Sequence, residues 1–197
     1  MRGTQMTQVK RQRETALELP LLQGWRLLLL SLVILPLFAC SSHDMSQYQG
    51  LTPSLDMRAF FNGPLEATGM VVDRGGQVTR RFTVTMIGRW EGNVGTLDEQ
   101  FFWDDGEQSE RIWTLTDLGD GRLKGEAADV EGFAEGRVSG PVLHWSYDLR
   151  LPEDQGGWLI HFDDTMALVT EKELMNVAVM TKWGIEVGRV IISIRRL

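Results

Sequence analysis

The chain has 197 residues, 43% of them hydrophobic, a formal net charge of −7 and a single cysteine. One domain of this size buries roughly two-thirds of its unfolded surface and so carries a real core. The acidic balance argues against nucleic acid, whose phosphates need a basic patch, and one cysteine excludes an intrachain disulfide and a cysteine-based zinc site.

Residues 27–39 form an apolar run ending in Leu37-Phe38-Ala39-Cys40, with Arg11, Arg13 and Arg26 upstream. A basic segment, a short apolar stretch and a small residue before the cleavage point are the anatomy of an export signal. The run is shorter than the roughly 20 residues of a membrane-spanning helix. The expectation is a lipoprotein: a signal peptide over 1–39, Cys40 carrying acyl chains of the palmitate type, and a polar tether over 40–52. Phe38 is bulkier than the residue usual two positions before such a cysteine. Ser41-Ser42, with no aspartate directly after the cysteine, resemble Gram-negative lipoproteins sorted to the outer membrane, facing the periplasm.

A single domain is expected over 53–197. Pro53-Ser54 opens a short helix over 55–61 with Ser54 as N-cap, and Asn62-Gly63-Pro64 ends it. Thereafter the pattern reads as strands over 65–73, 78–90, 96–103, 109–118, 122–130, 132–139, 142–151, 158–170, 174–182 and 189–196. Glycine-bearing turns recur between them at the spacing of an antiparallel barrel or sandwich; Asp105-Gly106 and Asp120-Gly121 are hairpin signals. Alternation assigns the faces. Trp145, Tyr147 and Leu149 oppose His144, Ser146 and Asp148. Trp158, Ile160, Phe162, Asp164 and Met166 share a face, as do Arg80, Phe82, Val84, Met86 and Trp90. A closed up-and-down barrel removes the sheet edges that invite aggregation, and such a barrel can enclose a ligand.

The combination Phe60-Phe61-Asn62-Gly63-Pro64-Leu65-Glu66-Ala67 and Thr79-Arg80-Arg81-Phe82-Thr83-Val84 resembles a proteobacterial lipoprotein family, domain of unknown function 3833. Trp113-Thr114-Leu115, Gly119-Asp120-Gly121, Phe162-Asp163-Asp164 and the closing Val187-Gly188 to Arg195-Arg196 extend the resemblance over nearly all of the chain after Cys40. It implies a lipobox and a lipocalin-like, calycin-type barrel, and brings no catalytic residue and no cofactor.

Candidate site residues are charges and aromatics on apolar faces: Arg80, Arg111, Glu99, Asp164, Trp113, Trp145 and Phe162. An unpaired charge is expensive to bury. An inward arginine therefore either grips the carboxylate or phosphate head of a lipid, or pairs with Glu99 or Asp164 to close one barrel end. Arg80 is the head-group candidate, with the 55–61 helix capping the barrel mouth. The tryptophans 90, 103, 113, 145, 158 and 183 either line a cavity or fill the core. His144 and His161 fall on an outer face with no metal-ligand spacing, and no nucleophile elbow accompanies Ser146. Two readings compete: a membrane-anchored barrel that binds or presents a fatty acid, lipid or other apolar molecule, and a filled barrel that serves protein interaction or envelope maintenance without a ligand. No catalytic constellation is evident.

Overall fold

The computed structural model describes residues 44–197; the expectations for the signal peptide and for acylation at Cys40 lie outside them. Ten strands run up and down in chain order: β1 (Gly63–Asp73), β2 (Val78–Glu91), β3 (Val94–Trp103), β4 (Gln108–Gly119), β5 (Arg122–Glu126), β6 (Val130–Ser139), β7 (Val142–Arg150), β8 (Leu159–Thr170), β9 (Glu173–Lys182) and β10 (Ile185–Arg196). Each pairs antiparallel with its sequence neighbours, and β10 returns to β1, Leu65 opposite Arg196 through to Asp73 opposite Gly188. The chain is thus an all-β, closed up-and-down barrel of the lipocalin-like kind. Two boundaries depart from expectation by four residues each. β5 stops at Glu126 because residues 128–129 turn, and β10 begins at Ile185, paired with Lys182 across a two-residue hairpin.

Period-two alternation builds the wall. On β2, Phe82, Val84 and Met86 are buried while Arg81, Thr83 and Thr85 are exposed. Inside, bulky and minimal residues face each other across the ladder. Gly69 lies opposite Phe82, Gly95 opposite Trp90, and Gly136 opposite Trp145. A Cβ on these glycines would come within 2.4, 2.5 and 2.4 Å of the facing ring, so each ring occupies the space its partner leaves vacant.

One barrel end is plugged by the segment before β1. Asp44 caps a 3-10 turn, Met45–Tyr48, whose Met45 is buried. A short helix, α1 (Met57–Phe60), follows, and Leu55, Met57, Phe60 and Phe61 join the core. Two expectations are corrected here. The tether expected over 40–52 is docked from residue 44 on, because Met45 supplies an apolar foothold and the Tyr48 carbonyl abuts Gly140. The helix is shorter than 55–61 and its N-cap is Asp56, not Ser54. The Leu55 N–H bonds to the Gly140 carbonyl at 2.9 Å, which keeps that residue out of the helix, and the Asp56 carboxylate accepts from the Ala59 N–H at 3.0 Å.

The plug touches the far end of β2 from Arg80. The Trp90 indole donates to the Phe61 carbonyl at 3.0 Å, and a Cβ on Gly88 would fall 1.9 Å from that oxygen. The helix and Arg80 therefore do not share a mouth. Arg80 belongs to the opposite end, rimmed by residues 74–77, 104–107, 127–129, 151–158 and 183–184, the fourth of which carries a 3-10 turn, Glu153–Gln155.

Candidate ligand site in the barrel interior

A polar cluster sits among the inward aromatic side chains. β3 and β4 place Glu99 directly opposite Arg111. The Arg111 guanidinium makes three hydrogen bonds of 2.8–3.1 Å to the carboxylate of Asp129. The early end of β5 makes this contact possible, since the turn after it swings Asp129 inward. The Trp113 indole N–H donates to Glu99. Across the interior, β8 and β9 supply Asp164, 4% exposed, and Asn176, 3% exposed, with the Asn176 amide donating to Asp164.

Tyr147 links the two halves. Its ring stacks on Phe162 at 5.1 Å between centroids and meets Trp113 edge-on at 5.4 Å. Asp164, Arg111, Glu99 and Asp129 all act on its hydroxyl. Burial pushes that phenol well above its usual range, and the neighbouring Asp164 charge adds to the effect.

Burial governs the acids as well. It pushes both Glu99 and Asp164 up to about 7, against the pull of Arg111 on Glu99 and of Asn176 and Arg111 on Asp164. Burial alone would lower the Arg111 pKa, but the charges around Tyr147, Glu99 and Asp129 raise it, so the guanidinium stays ionised.

Of the residues singled out from the sequence, Glu99, Arg111, Trp113, Asp164 and Phe162 converge here. Trp145 is buried beside them, edge-on to Trp113 at 5.7 Å. Arg80 stands apart at the rim. It bonds Asp105 at 2.7 Å and Glu107 at 2.9 Å, and its guanidinium lies 3.9 Å over the Trp103 ring. Neither arginine makes a hydrogen bond to Asp164, so the expected closing pair takes a different form: Arg111 with Asp129 and Arg80 with the 104–107 turn.

The tryptophans divide likewise. Trp113 and Trp145 are core, whereas Trp158 and Trp183 are 45% and 83% exposed at the rim. Trp158 precedes β8 and does not share the buried face expected for it, because its ring lies at the rim against Lys182 and Trp183.

The sequence reading missed three members of the cluster as site residues. Tyr147 appeared only as a core aromatic. Asn176 was visible as an amide within the alternating Leu174, Asn176 and Ala178. Asp129 gave no signal, because turn residues carry no periodicity.

The outer face of β7 and β8 carries two histidine–aspartate pairs. His144 Nε2 lies 2.8 Å from Asp163, and His161 Nδ1 lies 2.8 Å from Asp148, with Ser146 Oγ 3.4 Å from His161 Nε2. Ser146 sits mid-ladder with strands on both sides. The neighbouring backbone N–H groups are committed to the sheet rather than gathered around its hydroxyl, as an oxyanion site requires.

A protein of unknown function from the DUF3598 family of Nostoc punctiforme PCC 73102 shares the fold at a TM-score of 0.54 and 14% identity, over 74% of this chain and 50% of its own. The present chain thus spans half the length of that protein. The S-type phycobiliprotein lyase of Guillardia theta matches at a TM-score of 0.52 and 8% identity, over 71% of this chain and 90% of its own. No curated protein matches the sequence. Identities this low speak for the fold alone. Residues 34–196 match a family directly, and on that match the chain belongs to the family described as Protein of unknown function (DUF3833).

Proposed function

We propose that the barrel holds a lipid or other apolar small molecule and presents it from an acyl anchor at Cys40 on the periplasmic side of the outer membrane. One observation carries the binding role. Val71, Phe101, Met180, Val190 and Ile192 face into a closed barrel, yet they are only half-buried. Packed interiors leave few voids, so inward residues that still meet solvent support an opening into the interior at the unplugged end. Geometry supplies the reason. About eight strands give an interior that side chains just fill, and diameter grows with strand number; this barrel has ten strands. An acyl chain entering such space gains about 0.8 kcal/mol per buried CH₂. The family match, beginning at residue 34, takes in the segment around Cys40 and supports the anchor.

A filled barrel serving protein interaction is the second reading, favoured by the rim. Trp183 meets Trp158 edge-on at 5.9 Å, and Lys182 Nζ lies 3.0 Å from the Trp158 ring centre. Together they wall a surface groove of about 280 Å³. Native mass spectrometry of the protein purified without detergent separates the two. An added mass, released on denaturation and identified as a lipid or other apolar small molecule, is the expected result. A bare mass that stays unchanged after incubation with fatty acids and phospholipids would leave the interaction reading.

A further inference from the structure

We propose that the ligand's polar group is a protonated amine on an apolar body, received by Asp164 and Asn176 inside the barrel. This rests on the reading of the barrel as a ligand holder and specifies the head group that its interior selects.

The first ground is an imbalance of hydrogen bonding. Asp164 and Asn176 are both more than nine-tenths buried, and one oxygen of each, Asp164 Oδ1 and Asn176 Oδ1, has no donor among the described residues. Buried acceptors in native proteins are nearly always paired. None of the donors nearby reaches either oxygen. Arg111 directs its hydrogen bonds to Asp129, the Trp113 indole serves Glu99, and the Asn176 amide serves Asp164. An ammonium brings three donors and no acceptor. A carboxylate brings acceptors only, to a place that already has a surplus of them.

The second ground is charge. One guanidinium faces three carboxyl groups, Glu99, Asp129 and Asp164, and the Tyr147 phenol adds no positive charge. A fourth carboxyl in that space adds repulsion, whereas a cation restores balance. Arg111, the one cation that might have drawn a carboxylate, is held by Asp129 through two of its nitrogens. The interior thus discriminates by sign at the head group while the surrounding Phe101, Val190 and Ile192 accept the chain.

The test compares three probes of equal chain length, dodecylamine, dodecanol and dodecanoate, each below its micellar concentration. They are titrated at neutral pH into the protein as the cell processes it, with calorimetry and tryptophan fluorescence as readouts. Dodecylamine should bind at least about tenfold more tightly than dodecanoate, in line with a charge-assisted hydrogen bond. Asp164→Asn should remove most of that preference, read as the ratio of dodecylamine to dodecanoate affinity. Glu99→Gln, a second variant isosteric with the native side chain, should reduce the preference less, because its carboxyl already has the indole as donor. Circular dichroism establishes that each variant is folded. Equal or tighter binding of dodecanoate would overturn the assignment, and so would an amine preference that survives Asp164→Asn. Binding of none of the three would instead remove the ligand-holder reading on which the assignment depends.

Discussion

Gly136 has no side chain, yet it fixes where Trp145 lies. The two are direct cross-strand partners, and a methyl group at Gly136 would meet the ring at 2.4 Å. Gly125 bounds the same indole from another side, also at 2.4 Å, so the ring has little room to retreat. Gly136→Ala should therefore destabilise the protein by about 1–3 kcal/mol, the usual range for overpacking a well-filled core. Urea unfolding measures this, and adding Trp145→Leu should recover part of the loss. A single Gly136→Ala variant as stable as the parent would show that the indole moves freely. This pairing was only half legible in the sequence. Trp145 announced itself as an inward aromatic by its alternation with His144 and Ser146, but Gly136 looked like a weak point within a strand. Only the register, which no single strand encodes, shows that the two residues share one volume.

At the level of the element, the β9–β10 hairpin is built against local preference. Trp183 occupies the left-handed region at φ 54° and Gly184 at φ 77°. The two-residue loop that this makes favours Asn-Gly rather than Trp-Gly. A non-glycine residue in this region carries about 1–2 kcal/mol of strain, and Trp183 is too exposed to recover it by burial. Comparing Trp183→Gly with Trp183→Ala isolates the strain, since both remove the indole. The glycine variant should be the more stable by about 1 kcal/mol, seen as a higher urea midpoint at unchanged slope. Equal midpoints would mean that the turn relaxes once the indole is gone. A tryptophan hid this turn from sequence reading, whereas Asp105-Gly106 and Asp120-Gly121 were legible because their residue types match their conformations. The helix before β1 was legible for a similar reason and misplaced for another. Ser54 and Asp56 are both good caps, and the choice fell to the Leu55–Gly140 backbone bond, a contact far away in the sequence.

At the scale of the whole molecule, the buried acids make folding stability depend on pH in an unusual direction. The ordinary values are 4.5 for Glu99 and 3.8 for Asp164, and the folded state holds each near 7. The unfolded chain therefore releases these protons first as pH rises. Between about pH 4 and pH 7 the unfolded state becomes the more ionised, and stability falls; above 7 the loss is complete and level. Asp104, Asp105 and Glu186 are surface carboxyls shifted the opposite way, so they act below this window. The protein should lose a few kcal/mol of stability between pH 5 and pH 8. The double variant Glu99→Gln, Asp164→Asn should flatten that slope in urea midpoints. A parent protein equally stable at both pH values would mean that the two acids are solvated in the folded state. The closed up-and-down topology was legible from ten alternating segments and short glycine turns. The site was less so, because β3 and β4 meet β8 and β9 across an interior whose width depends on strand number and stagger together.

The plug also determines which way the molecule would look out. Met45, the first buried residue among those described, is held against the plugged end, and Cys40 precedes it by only five positions. Even fully stretched, that stretch of chain reaches less than about 20 Å. Anchored by acyl chains at Cys40, the barrel would stand with its stopper toward the bilayer and its tryptophan rim toward the aqueous compartment. Cargo would then pass to and from soluble carriers or a facing membrane, rather than slide in sideways from the leaflet that holds the protein.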